Sequence, residues 1–239
     1  MIKKLFNSVV FIILFIFTTY VNADKLLDIQ NKNLLTVGIT NYIEPFAFKN
    51  NKNQLVGFEI ELIKNIAKDM NLQTKFIKID NKNTVNYLLS NKVDILIGSI
   101  IHTKEKDKNL DFTISYFYDG QIILARKNTS ANSYKDFSNK KIAAVIESTN
   151  GKVFNIIQPS ANIIYFSNLN KAIEALKMKK VDAVTDKFGK ISPYLRQNKN
   201  KFKLVGNKFT LIPYAIAIKE NESNFKDEIN FKIQDIVRS

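Results

Sequence analysis

The stretch LLSNKVDIL at residues 88–96 decides the fold, because the chain repeats its pattern as LKMKKVDAV at residues 176–184. Each copy ends a helical pattern, turns at its lysines and opens a short apolar run, which is typical of a helix that leads into a parallel strand. The aspartates of the two copies, Asp94 and Asp182, lie 88 residues apart (182 − 94 = 88). The repeat predicts two similar α/β lobes, and the alternative is a chance match of one helix-to-strand turn.

The residues that follow each copy favour the two-lobe interpretation. The first strand runs out at Gly98-Ser99, and the second ends at Thr185-Asp186. Open α/β sheets bind ligands just beyond the carboxyl ends of their strands. We therefore expect the Ser99 hydroxyl and the Asp186 carboxylate to face each other across a cleft between the lobes.

The segment before the first copy predicts a doubly wound α/β start. Apolar runs and helical spacing place strands at 34–40 and 74–79 and helices at 57–71 and 83–90. Glu59 and Glu61, in the first of these helices, are two residues apart and so point to different faces. This spacing favours structural roles over a paired acid and base.

The chain is expected to cross between the lobes twice, near Ala125 and near Ile212. This gives a first lobe of residues 24–124 plus 212–239 and a second lobe of residues 125–211. Two crossings form a hinge, and closure of a hinge about a ligand is a known way for two lobes to bind.

The N-terminus predicts a secretory signal peptide, residues 1–23, that is cleaved after Ala23. A basic start precedes an apolar run at residues 9–17 and the small-residue signature Val21-Asn22-Ala23. The run is shorter than the roughly 20 residues of a spanning helix, which argues against the alternative of a membrane anchor. The chain has no cysteine, which excludes a lipid-anchored precursor and any disulfide. The sequence predicts a periplasmic protein of 216 residues (239 − 23 = 216).

The formal net charge is +14, but its distribution argues against a nucleic-acid partner. Only three of the 36 basic residues are Arg, and the lysines are scattered among asparagines and isoleucines. Nucleic-acid sites favour arginine forks and clustered basic patches. We interpret the charge as the compositional bias of an AT-rich genome, while an anionic membrane surface or an acidic protein stays open as a partner.

Several short motifs occur in a fixed order along the chain. They are Glu44-Pro45-Phe46, Gly57-Phe58-Glu59-Ile60-Glu61-Leu62, the two Val-Asp turns, Thr103-Lys104-Glu105-Lys106 and Asp111-Phe112-Thr113. Together they resemble the bacterial periplasmic solute-binding proteins of family 3, the polar amino-acid-binding type of ABC importers. The resemblance covers nearly all of the chain after residue 23.

The resemblance implies a monomer of the type II periplasmic binding-protein fold, with two doubly wound α/β lobes joined by a two-segment hinge. Such a protein closes like a venus flytrap on a small polar solute, an amino acid or a related compound. It then delivers the solute to an inner-membrane ABC permease. The resemblance implies no cofactor, no metal and no catalysis.

The resemblance also implies which residues bind the ligand. Lys106 stands in place of an arginine that clamps the ligand α-carboxylate, with help from the hydroxyls of Ser99 and Thr149. Asp186 takes the α-ammonium. The sequence agrees at Thr149, because a helix should begin there and its free N–H groups form an anion site.

Three further residues are candidates at the ligand. The aromatic rings of Tyr42 and Phe46 flank Pro45, and either is a candidate platform for the ligand, the alternative being a place in the core. Glu147 stands where the family usually has a glycine. Its carboxylate would repel an anionic ligand or hold a cationic side chain.

Two other functions stay open. Some relatives are periplasmic dehydratases of the cyclohexadienyl type, which need a placed acid and base, and Glu147 and Asp186 are the candidates for these roles. A ligand sensor that works without a transporter is the other alternative. The sequence shows no nucleophile with a base, and the lone histidine, His102, cannot form a metal site with spaced partners.

Overall fold

The structure is a computed structural model that describes residues 24–80, 84–102, 108–146 and 148–238. The predicted signal peptide and the predicted ligand residues Lys106 and Glu147 lie outside the described residues. Within those ranges, no helix has both the length and the apolar character needed to cross a bilayer.

The elements alternate between strands and helices along most of the chain. The α-helices are α1 (Lys25–Lys32), α2 (Phe58–Asp69), α3 (Thr84–Leu89), α4 (Asn150–Ile157), α5 (Leu169–Lys177), α6 (Phe188–Gln197) and α7 (Ser223–Arg238), with a 3-10 helix at Tyr134–Phe137. The first seven strands are β1 (Leu34–Ile39), β2 (Phe48–Lys49), β3 (Leu55–Val56), β4 (Gln73–Lys78), β5 (Ile95–Ile97), β6 (Asp111–Phe112) and β7 (Phe117–Asp119). The remaining strands are β8 (Gln121–Arg126), β9 (Lys141–Val145), β10 (Asn162–Phe166), β11 (Ala183–Lys187), β12 (Phe202–Val205), β13 (Ile212–Tyr214) and β14 (Ala217–Ile218).

Two five-stranded sheets confirm the predicted two-lobe α/β fold. The first lobe has the strand order β4-β1-β5-β14-β6, and the second has β10-β9-β11-β8-β12. In both sheets the first three strands are parallel and the fourth is antiparallel to its neighbours. The second lobe therefore repeats the order and the directions of the first.

The two copies of the repeated phrase make the same backbone contacts. Asp94 accepts a hydrogen bond from the N–H of Thr36 at 2.7 Å and donates its own N–H to the Thr36 carbonyl at 2.8 Å. Asp182 does the same with Lys141, at 2.9 Å and 2.8 Å. Each aspartate thus fixes the start of its strand against the neighbouring parallel strand.

The turns before these aspartates also match. Asn91 and Lys179, which are 88 residues apart (179 − 91 = 88), both lie in the left-handed region, with φ of 54° and 59°. A left-handed residue commonly ends a helix, because it redirects the chain and leaves its N–H free to bond the last turn. Each copy of the repeat is therefore a helix end followed by a strand whose start is bonded to the neighbouring strand by an aspartate.

The chain crosses between the lobes through β7 and β13, which pair with each other as a separate antiparallel ribbon. The strand after the first crossing, β8, pairs only with β11 and β12 of the second sheet. The first crossing therefore lies at residues 117–119 and not near Ala125, and a lobe boundary after Leu124 would divide one strand. Sequence alone could not show this, because a buried apolar strand fits a place in either sheet.

Helices cover both faces of each sheet, and this leaves the strand ends as the open edge. In the first lobe, α1, α2 and α7 bury Ile29, Ile63 and Ile229 against one face, while Leu88 of α3 packs on the other. The second lobe likewise has a core on each side of its sheet. The carboxyl ends of the parallel strands meet the hinge, as the rule for open α/β sheets predicts.

Candidate functional site

A cavity of about 540 Å³ lies between the lobes beside the hinge. This is the size of a small-molecule pocket. Its wall includes residues of the first lobe, of the two hinge strands and of the second lobe. The polar or aromatic lining residues used below are Thr40, Asn41, Phe46, Ser99, Asp119, Lys187, Lys190 and Tyr214.

Ser99 lines the cavity, as predicted, and a buried carboxylate holds it in place. Its backbone N–H and its hydroxyl both donate to Oε1 of Glu59, at 2.6 Å and 3.2 Å. The phenol of Tyr116 donates to the same oxygen at 2.6 Å. Because the hydroxyl hydrogen is committed to Glu59, the Ser99 oxygen faces a ligand as an acceptor.

Glu59 itself is fully buried. Burial raises the pKa of this carboxyl above its usual range, and the bonds from Tyr116 and Ser99 oppose the shift. Its Oε2 has no hydrogen-bond partner among the described residues. Glu61 is exposed, so the two glutamates point to different faces as the spacing predicted.

Thr40 and Asn41 follow the carboxyl end of β1 and were not singled out by the sequence. The Asn41 side chain donates to the Gly98 carbonyl at 2.8 Å, and the Thr40 hydroxyl approaches the same oxygen at 3.2 Å. A Cβ on Gly98 would lie 2.6 Å from the Thr40 hydroxyl, so this approach of two strand ends requires glycine. The sequence signal that could have identified Thr40 and Asn41 is their position at the end of a predicted strand.

Phe46 lines the cavity and also joins the lobes. It is 4% exposed and packs edge-on against Phe117 and Tyr214, with ring centroids 5.2 Å and 5.6 Å apart. Its ring lies against Gly189 of α6, where a Cβ would come within 2.4 Å of it. Tyr42 does not line the cavity, and the ammonium of Lys78 lies 5.1 Å from its ring centroid.

Asp119 connects the hinge with the second lobe. One carboxylate oxygen accepts from the N–H groups of Gly120 and Gly189, at 2.7 Å and 3.1 Å. The other accepts the phenolic hydrogen of Tyr214 at 3.0 Å. Both oxygens of this buried group are therefore occupied by the protein.

Asp186 is fully buried and does not line the cavity. Its Oδ1 accepts from the Asn150 amide at 2.6 Å and from the Lys187 N–H at 2.7 Å. Burial raises the pKa of its carboxyl, although the nearby Lys190 ammonium opposes this. Oδ2 has no hydrogen-bond partner in the part of the chain that the structure describes, and a ligand contact at Asp186 stays a prediction.

Thr149 precedes α4 at the predicted position but is exposed, and its hydroxyl makes no capping bond to the helix. It does not line the cavity. The structure therefore brings two of the predicted residues, Ser99 and Phe46, into one cavity. Tyr42, Thr149 and Asp186 lie outside its wall.

Lys187 and Lys190 form the cavity wall of the second lobe, and the sequence argument missed both. Each is half-buried. Burial and the neighbouring Lys190 lower the pKa of the Lys187 ammonium, against the attraction of Asp119 and Asp186. The signal that could have found Lys187 is its place directly after Asp186, at the end of β11.

The model of one protein family, the bacterial extracellular solute-binding proteins of family 3, matches residues 35–239. The chain belongs to this family. A curated relative of the protein is the ABC transporter glutamine-binding protein GlnH of Bacillus subtilis, 29% identical over 216 residues, which are 88% of this chain and 79% of the relative.

Solved structures are similar over most of the chain. An ancestral arginine-binding protein bound to arginine is 32% identical, with a TM-score of 0.61 over 87% of this chain and 93% of its own. The unliganded, open L-cystine solute receptor of Neisseria gonorrhoeae has a TM-score of 0.81 at 17% identity, covering 89% and 91% of the two chains. These likenesses agree with a periplasmic binding-protein fold, and two of the three similar proteins are named as glutamine-binding and arginine-binding proteins.

Proposed function

We propose that this family member captures a small polar solute of the amino-acid class by closing its lobes, and hands it to an ABC importer. The observation that carries the proposal is the cavity beside the hinge, which Ser99 lines from the first lobe and Lys187 from the second. The hinge strands β7 and β13 carry the chain between the lobes there. The names of relatives, which include a glutamine-binding, a probable histidine-binding and an arginine-binding protein, support the amino-acid class.

Binding rather than catalysis fits the two buried acids considered for this site, Asp119 in the cavity wall and Asp186 outside it. General acid–base catalysis needs a carboxyl within hydrogen-bond reach of the substrate. Asp119 has both oxygens occupied by the protein, and Asp186 has no exposed surface. No observation among the described residues favours the dehydratase alternative.

The proposal places the mature protein outside the inner membrane as a monomer. The family is extracellular, and the signal-peptide pattern at residues 1–23 predicts export and cleavage after Ala23. The absence of cysteine from the chain argues against a lipid anchor. N-terminal sequencing of exported protein tests the cleavage, and an intact Met1 would contradict it.

Closure is tested by small-angle X-ray scattering with and without ligand. We expect a smaller radius of gyration at saturation, because the lobes rotate about β7 and β13. Native mass spectrometry of the purified protein, followed by calorimetry with the compound that it carries, identifies the solute. Failure of every proteinogenic amino acid to bind, together with an unchanged radius, would reject the proposed function.

A further inference from the structure

We infer that Lys187 and Lys190 bind a carboxylate of the ligand side chain, so that the cleft selects acidic amino acids or related dicarboxylates over neutral and cationic ones. This inference rests on the proposed function and names the ligand class of that same cavity. Both lysines line it from the second lobe, at the end of β11 and in the first turn of α6.

The two ammoniums feel the charges of the buried Asp119 and Asp186 carboxylates, but neither is directly paired with one. Neither makes an ion pair or a side-chain hydrogen bond with any described residue, and the ring of Tyr214 lies beside Lys187, 6.0 Å from its nitrogen to the centroid. Burial is the largest cause of the lowered pKa of Lys187, and the positive charge of Lys190 adds to it. A carboxylate placed between them removes this repulsion.

The nearby acids, Asp119 in the cavity wall and Asp186 outside it, do not take this role, because each accepts hydrogen bonds from protein donors instead. Asp119 directs its carboxylate at Gly189 and Tyr214, and Asp186 directs Oδ1 at Asn150. The two carboxylates offset the two ammoniums in net charge. The ammoniums, however, belong to the residues that line the cavity and are the charges that a ligand contacts. Charge-assisted bonds to a carboxylate are the strong ones in such a partly dry site.

The rest of the cavity suits the remainder of such a ligand. Ile100 and Leu110 line the first-lobe side and fit a short methylene chain. Ser99 presents a hydroxyl oxygen whose hydrogen is committed to Glu59, so it accepts from an ammonium.

The test is calorimetric titration of the full mature protein with L-glutamate, L-glutamine, L-arginine and glutarate. Glutamate and glutamine have nearly the same shape, so the difference between their binding affinities isolates the effect of the side-chain charge. Loss of one partner of a desolvated charge pair is costly, and we expect glutamate to bind at least about tenfold more tightly than glutamine. Glutarate, which lacks the ammonium, separates a simple dicarboxylate ligand from an acidic amino acid.

Substitutions of the two lysines localise the effect. Lys187→Met and Lys190→Met keep a long apolar side chain and should each weaken glutamate binding about tenfold or more, with glutamine changed by less than about threefold. Lys187→Arg and Lys190→Arg keep the charge and should restore most of the affinity. Lys199→Met, at an exposed lysine of the same lobe that does not line the cavity, controls for net charge.

Opposite results would overturn the inference. Glutamine or arginine binding as tightly as glutamate would reject the acidic class while leaving amino-acid capture intact. Equal glutamate affinity in the Lys187→Met, Lys190→Met and wild-type proteins would reject the two lysines. Binding of none of these compounds, nor of any other amino acid, would reject the proposed function together with the inference.

Discussion

Tyr214 donates its phenolic hydrogen to Oδ2 of Asp119 at 3.0 Å, and this bond joins the two strands through which the chain passes between the lobes. The other oxygen of Asp119 accepts from Gly189 at the start of α6. One buried carboxylate therefore connects both hinge strands with the second lobe. Burial and the nearby Asp119 carboxylate raise the pKa of Tyr214 above its usual range, which keeps the phenol a donor.

Tyr214→Phe should lower the free energy of unfolding by about 1–3 kcal/mol, because it leaves a buried carboxylate oxygen without its donor. Chemical denaturation measures the change. Tyr118→Phe is the matched control, since Tyr118 lies in the partner strand but is 50% exposed, and a change within about 0.5 kcal/mol is expected there. Equal effects of the two substitutions would show that the bond adds nothing to stability.

The two repeated aspartates should differ in their contribution to stability although they make the same backbone bonds. Asp94 also pairs with Lys25 at 2.5 Å, and both side chains are largely buried, whereas Asp182 pairs with Arg126 at 3.6 Å in a more exposed setting. Asp94→Asn should cost about 2–4 kcal/mol, since it removes the close partner of a largely buried ammonium, whose remaining ion pair, with Asp28, spans 3.9 Å.

Asp182→Asn should cost about 1 kcal/mol or less, as is usual for an exposed pair. Denaturant midpoints of the two variants give the comparison. An Asp182→Asn variant that is the less stable of the two would contradict the argument from burial.

Gly189→Ala should destabilise the contact between the lobes. The new Cβ would lie 2.4 Å from the Phe46 ring and 3.0 Å from Oδ2 of Asp119, and neither neighbour can move freely. Overpacking of this kind costs about 1–3 kcal/mol and should also weaken ligand binding, because Phe46 lines the cavity.

Gly151→Ala is the control for this substitution. Its Cβ would meet the ring of Tyr165 at 2.7 Å, but Tyr165 is exposed and can rotate away. Thermal melts should therefore place Gly151→Ala closer to the wild type. The reverse order would mean that Phe46 is loosely held.

Glu59→Gln should change how stability depends on pH. Burial raises the pKa of Glu59 in the folded protein above the ordinary value of 4.5. The stabilising contribution of the protonated form is therefore complete below the unfolded pKa and is lost as pH rises through the folded pKa. Glutamine does not titrate and can still accept the three bonds that reach Oε1.

The stability of Glu59→Gln relative to the wild type should therefore increase as pH rises from about 4.5 through the raised folded pKa. Urea denaturation at a series of pH values measures this difference. Glu61→Gln, on the exposed side of the same helix, should stay within about 0.5 kcal/mol of the wild type. If the difference in unfolding free energy between Glu59→Gln and the wild type did not change with pH, the pKa of Glu59 would not be raised by folding.

The sequence by itself determined the two lobes and their α/β class. The helix end, the left-handed turn at Asn91 and Lys179, and the Val-Asp strand start depend on residues close together in the chain. Such local signals can be read from sequence, because each residue type favours its own backbone conformation. The same holds for Ser99, whose place at a strand end predicted its place at the cleft.

Only the tertiary structure decided which side chains reach the cavity. Asp186 and Lys187 are neighbours at the end of one strand, yet the first is buried beside Asn150 and the second lines the cavity. Successive strand residues point to opposite faces, and the packing of the sheet selects which face meets the cleft. The assignment of β8 to the second sheet has the same origin, because strand pairing joins residues far apart in the chain.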